Sequence, residues 1–153
     1  VADFTIEFYE AKDGRQPFRR FLDGLDLTKR LAMIAAIEQI LAKQGSAVCN
    51  SSWGKSLGKG LFEFRVRHTA TGIRRMFNGD PSPGPHDQEG PRGKVVLRAF
   101  CHAYGDQIVL LLGGYDKGED ASAKRQQKEI QTARKRLIAF QMAQQRAAKA
   151  KKR

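Results

Sequence analysis

Leu61-Phe62-Glu63-Phe64-Arg65-Val66-Arg67-His68 alternates apolar and charged side chains along its length. A period of two belongs to a β-strand, whose successive side chains point to opposite faces. Phe62, Phe64 and Val66 therefore share a buried face, and Glu63, Arg65 and Arg67 share the other, with the cations facing outward together. A turn at Thr71-Gly72 leads into Ile73-Arg74-Arg75-Met76-Phe77. This segment is expected to be the antiparallel mate, with Arg74 and Arg75 on opposite faces so that one of them joins Arg65 and Arg67.

Working outward, Phe4-Thr5-Ile6-Glu7-Phe8-Tyr9 shows the same alternation and reads as an opening strand. Asp13-Gly14 marks a turn, and Pro17 suits the first turn of a short helix carrying Phe18, Phe21, Leu22 and Leu25. After Asp26, an N-cap type, Leu27, Leu31, Ile34, Ile37, Ile40 and Leu41 recur at helical spacing until Gly45 supplies a stop. Residues 46–60 read as loop, and residues 78–94, rich in Gly, Pro, Asp and Gln, as a long flexible insertion.

Val95 to His102 and Ile108 to Tyr115 are almost continuously apolar, as expected of central strands covered on both faces. From about Ser122 a helix is expected, with Ile130, Ala133, Leu137 and Phe140 on its inner stripe, fraying into the terminal Ala-Lys-Ala-Lys-Lys-Arg153. The order describes an α+β domain over residues 1–138: a mainly antiparallel sheet flanked by two N-terminal helices and a C-terminal helix. Residues 139–153 form a basic helix end and tail.

The chain has 153 residues and a formal charge of +12, and its wholly apolar runs, Leu31 to Ile37 and Ile108 to Leu112 among them, are far too short to span a bilayer. With neither a basic start nor an apolar signal core, a cytoplasmic protein with no membrane partner is expected. From Lys124 onward there are eleven Lys+Arg against the single acid Glu129, so the preceding residues carry only +2 of the charge. Lys55, Lys59, Arg65, Arg67, Arg74 and Arg75 make a second basic cluster, opposed only by Glu63. A polyanion is the natural partner of such features, because each phosphate contact releases condensed counterions. A merely solvated basic face is the plain alternative. Cys49 and Cys101 stand 52 positions apart outside any metal-ligand spacing, and read as packing thiols.

The string Lys55-Ser-Leu-Gly-Lys-Gly-Leu-Phe-Glu-Phe-Arg65 resembles the K-x-L-x-x-G-L-[YF]-E-[LF]-R signature of the RelE/HigB branch of bacterial and phage toxins. Phe8-Tyr-Glu, Phe21-Leu-Asp23, Ile73-Arg-Arg-Met-Phe77 and Gly113-Gly-Tyr-Asp-Lys117 are similar to further family segments in the same order, so the likeness covers roughly residues 4–138. It implies a RelE-like fold and the toxin of a type II toxin-antitoxin module, an endoribonuclease that cuts mRNA on the ribosome. It also implies a cognate antitoxin, commonly of helix-turn-helix type, and no metal or other cofactor. ParE-like relatives inhibit DNA gyrase instead, and an inactive nucleic-acid-binding derivative is a third reading.

Metal-free RNA cleavage needs removal of the 2′-hydroxyl proton, stabilisation of charge on phosphorus and protonation of the departing 5′-oxygen. Arg65 and Arg67 suit the second task, since their i, i+2 spacing holds two guanidiniums about 7 Å apart on one strand face. Arg74 is expected to complete the cradle, with Lys55, Lys59 and Arg75 positioning RNA. Solvated edge arginines, or an ion pair with Glu63, are the alternative. The resemblance puts functional residues at Tyr115 and Lys117, for stacking or proton transfer, although Tyr115 equally suits a core position. His68 is a candidate acid or base. Many relatives carry histidine immediately before the glycine of the last strand, where this chain has Leu112, so a histidine-centred scheme is in doubt.

Overall fold

The computed structural model describes residues 2–78 and 95–152. Five strands, β1 (Thr5–Phe8), β2 (Gly54–Gly58), β3 (Leu61–Val66), β4 (Leu97–Tyr104) and β5 (Ile108–Asp116), form one mixed sheet in the order β1-β5-β4-β3-β2. Only the edge pair β1/β5 is parallel, and the other three pairs are antiparallel. The helices are α1 (Pro17–Gly24), α2 (Leu27–Ala36), α3 (Ala70–Asn78) and α4 (Ala123–Lys151). The α2 axis continues through a π-helical turn, Ile37–Leu41, and a final α-turn, Ala42–Gln44. No helix among the described residues is long and apolar enough to cross a membrane.

Local chemistry explains the helix ends. Pro17 opens α1, where a missing N–H costs nothing. The Arg30 guanidinium donates to the carbonyls of Leu22, Asp23 and Leu25, satisfying the exposed acceptors where α1 ends. The Asp26 carboxylate accepts from the Lys29 amide at 2.9 Å and caps α2. At Gly45 the backbone turns to φ 56°, and a Cβ there would lie 2.5 Å from the Phe4 ring.

The sheet is covered on both faces. One face packs Phe62, Phe64, Val66, Leu97, Ala99, Val109 and Leu111 against α1, α2 and α3 through Phe18, Met33, Ile40 and Ile73. The other packs Leu61, Phe100, Leu110, Leu112 and Tyr115 against Ile130, Ala133, Leu137 and Phe140 of α4. This double cover is why β4 and β5 carry such continuous apolar sequence.

Four expectations need correction. Residues 73–77 are not the strand partner of β3 but part of α3. The Thr69 hydroxyl accepts from the Gly72 amide at 3.1 Å, an N-cap contact that starts a helix, and Ala70 and Ile73 supply its buried side. Arg74 is consequently exposed on a helix packed against α2, and Arg75 lies half-buried beside it. Residues 54–58, within the expected loop, form edge strand β2, with Lys55 opposite Glu63. Glu63 does not face solvent, since it is completely buried. Finally, α4 does not fray from Ala148 but stays helical to Lys151. The insertion read at 78–94 lies outside the described residues, apart from Asn78 at the end of α3.

Candidate functional site

Arg65, Arg98 and Tyr115 form one row across three strands: Arg65 is the register partner of Arg98 on β4, and Arg98 that of Tyr115 on β5. A β-bulge makes this row possible. Phe100 pairs with Gly113 and Cys101 with Leu111, leaving Leu112 as the extra residue on β5. An extra residue reverses the alternation beyond it, so Tyr115 shares the α4 side with Leu110 and Leu112 instead of following Val109 and Leu111 to the opposite layer.

The row is organised by a buried carboxylate. Glu63 Oε2 accepts from Arg65 Nε at 3.1 Å, and Glu63 Oε1 lies 3.4 Å from Arg98 Nε in an ion pair not aligned as a hydrogen bond. Arg98, only 2 % exposed, also donates to the Leu97 carbonyl at 3.2 Å. Burial pushes its pKa down, as do the neighbouring charges of Arg65 and Arg67, while Glu63 opposes them. Lys117, just past β5, feels the same group: burial pushes its ammonium below the usual lysine range, and Arg98, Arg65 and Arg67 push the same way. Two of these cations, Arg65 and Arg98, contact the carboxylate, and Arg67 and Lys117 act on Arg98 and on each other, leaving an excess positive potential at this end of the sheet. Arg65 keeps 21 % of its side chain exposed, Arg67 is exposed, and Lys117 is half-buried, so the three are open to a ligand.

Tyr115 lies behind them. Its ring stacks parallel on Phe100 at 6.1 Å, and the Arg125 guanidinium from α4 sits 5.4 Å above it. The ring is buried, and its hydroxyl makes no hydrogen bond among the described residues. Burial, with Glu63 next in weight, raises its pKa, so the phenol stays neutral and is a hydrogen-bond donor in want of an acceptor.

The other sequence candidates fall elsewhere. His68 packs its ring on Trp53 at 5.4 Å, and Trp53 lies over Phe64, which ties the imidazole to the helical layer opposite α4. Arg74 and Arg75 are on α3 in that same layer. Lys55 is exposed on β2, one row from Arg65, and Lys59 is at the tip of the β2-β3 turn with φ 54°. The sequence reading missed Arg98. Its signal was a lone arginine within the apolar Val95–His102 run, matched by a lone acid in the facing strand.

The arrangement is chemically suited to holding an anion on Arg65, Arg67 and Lys117 while Glu63 and Arg98 fix the supporting geometry. No protein-family model matches the chain, and no curated protein is significantly similar to it.

Proposed function

We propose that this chain is a cytoplasmic mRNA-cleaving endoribonuclease of RelE-like fold, the toxin of a two-component toxin-antitoxin module, acting on the translating ribosome. The observation that carries this reading is the row Arg65-Arg98-Tyr115 with Lys117 beside it, an excess of positive charge built around buried Glu63. The family resemblance of residues 55–65 supplies the reaction class.

In the proposed reaction the ribose 2′-oxygen loses its proton to water and attacks the adjoining phosphorus. The bond from phosphorus to the 5′-oxygen breaks, leaving a 2′,3′-cyclic phosphate and a 5′-hydroxyl. Arg65 and Arg67 hold the non-bridging oxygens as negative charge grows on them. Lys117, whose ammonium is already disfavoured by its surroundings, gives its proton to the departing 5′-oxygen. Arg98 is a positioning residue acting through Glu63. His68 has no part in this scheme, and Lys55 supports RNA beyond the row. The basic α4 extension binds ribosomal RNA or is masked by the antitoxin, an acidic segment of which would complement it.

A second reading, an RNA-binding derivative without catalysis, is favoured by the burial of Tyr115 and the remoteness of His68. Primer extension on cellular mRNA after induction separates the readings. Discrete new 5′ ends with the wild type, lost with Arg65→Ala/Arg67→Ala, support the nuclease. Growth arrest with intact mRNA and trapped gyrase-DNA complexes would instead indicate a gyrase inhibitor. Binding without new ends would indicate the inactive derivative.

A further inference from the structure

β1 ends at Phe8, opposite Leu111, whereas β5 runs on to Asp116. Beyond Leu111 the outer edge of β5 has no strand neighbour among the described residues, and α1 and α4 flank it from the two faces of the sheet. They leave a cleft of about 700 Å³ lined by Arg15, Arg20, Arg125 and Arg136, with Gly114 and Tyr115 at its floor. This is the size of a nucleotide site rather than of a lone ion.

The charges in the cleft do not cancel. Of its two acids, Asp116 is paired with Lys29 at 2.7 Å and Glu129 with Arg125 at 2.8 Å. Arg20 is exposed and makes no ion pair among the described residues. Arg15 has only a loose, exposed contact with Asp13, at 3.3 Å. Arg136 spends one N–H on the Leu112 carbonyl, at 3.1 Å. It lies so close over Gly113 that a Cβ there would be 2.4 Å from its terminal nitrogen. Burial lowers its pKa, but a guanidinium remains charged at any ordinary pH and retains donors for a further acceptor. The first turn of α1 also opens here, and Gln16 provides no side-chain cap for its amides. A carboxylate has two oxygens and is satisfied by one guanidinium fork. Guanidiniums arriving from two helices suit a group with more acceptor oxygens and more charge.

We propose that the cleft between α1 and α4 is a second phosphate-binding site that takes a nucleotide phosphate, at the Tyr115 end of the row and across Arg98 from Arg65. It stands on the cleft alone and does not depend on RNA cleavage. The phosphate comes either from a free nucleotide or from an RNA strand continuing past the row.

The test is a titration of the isotope-labelled full chain, followed by the amide resonances of Gly113, Gly114 and Arg20, with inorganic phosphate, AMP and a 5′-phosphorylated uridine trinucleotide. Saturable shifts at these amides, at least tenfold weaker in Arg20→Glu and unchanged in Arg65→Ala, are expected. Saturation by AMP assigns the site to a free nucleotide, and saturation by the trinucleotide alone assigns it to a strand. If Arg20→Glu does not fold, Arg15→Glu, also at an exposed position, replaces it. Absence of saturable shifts with all three probes, insensitivity to charge reversal, or loss of the shifts in Arg65→Ala would overturn the proposal. Cleavage persisting without cleft binding would remove this site and leave the nuclease reading intact.

Discussion

Glu63 and Arg98, both almost fully buried, face each other from neighbouring strands with Oε1 and Nε 3.4 Å apart. Removing one member of such a pair leaves the other as an uncompensated charge in the interior. Glu63→Gln is expected to destabilise the fold by about 3 to 5 kcal/mol in chemical denaturation. Arg98→Met should cost a comparable amount, and the double variant should lose clearly less than the sum of the two. Additive losses would show that the carboxylate does not balance Arg98.

In the proposed cleavage Lys117 must be protonated to serve the leaving oxygen. Its pKa is lowered from the usual 10.5 by burial and by the cations around it. The cleavage rate is therefore expected to fall with rising pH before that value is reached. Lys117→Arg, which keeps the charge but does not release a proton in this range, should flatten that alkaline limb and slow the reaction throughout. An unaltered pH profile in Lys117→Arg would remove the residue from proton transfer.

Gly114 is required by contact. A Cβ there would lie 2.7 Å from both the Arg98 carbonyl oxygen and the Phe21 ring, whereas one at Gly24 would meet nothing within 4 Å. Gly114→Ala is expected to cost about 1 to 3 kcal/mol through overpacking. Gly24→Ala, in open space at the end of α1, should be neutral or slightly stabilising. Thermal unfolding of the two variants provides the comparison, and equal midpoints would contradict it.

Tyr104 donates to Glu7 at the far end of the sheet, and burial together with that carboxylate pushes its pKa up to about 12. A phenol whose pKa is raised on folding stabilises the folded state fully below its unfolded value near 10, and this contribution is lost as pH climbs through the folded one. Spectrophotometric titration should show a tyrosinate step near pH 12 that disappears in Tyr104→Phe. The variant's stability should also fall less steeply over the same alkaline interval.

Much of this fold was legible in the pattern of residues. The alternation of Phe62, Phe64 and Val66, the helical spacing from Leu27 to Leu41 with its stop at Gly45, and the apolar runs of β4 and β5 each match their place in the structure. What escaped depended on contacts that no local period encodes. Ile73 to Phe77 spans only five residues, too few to separate alternation from a helix whose buried side is Ala70 and Ile73. β2, Gly-Lys-Ser-Leu-Gly, has no apolar rhythm and is held as a strand by pairing with β3. The row itself was half visible. Arg65 was found from spacing, with the Glu63 ion pair kept as an alternative, and that ion pair is present. Arg98 was hidden in an apolar run, and the bulge at Leu112 that turns Tyr115 toward it arises from register rather than composition.

The chemistry of the cut end tests the central claim most directly. Ribosome-bound mRNA incubated with the purified full chain should yield upstream fragments ending in a 2′,3′-cyclic phosphate and downstream fragments beginning with a 5′-hydroxyl, as read by mass spectrometry. Neither should form with a folded Arg65→Ala/Lys117→Ala variant. Fragments bearing a 3′-hydroxyl and a 5′-phosphate, or undiminished cutting by that variant, would contradict a phosphoryl transfer carried by the arginine row.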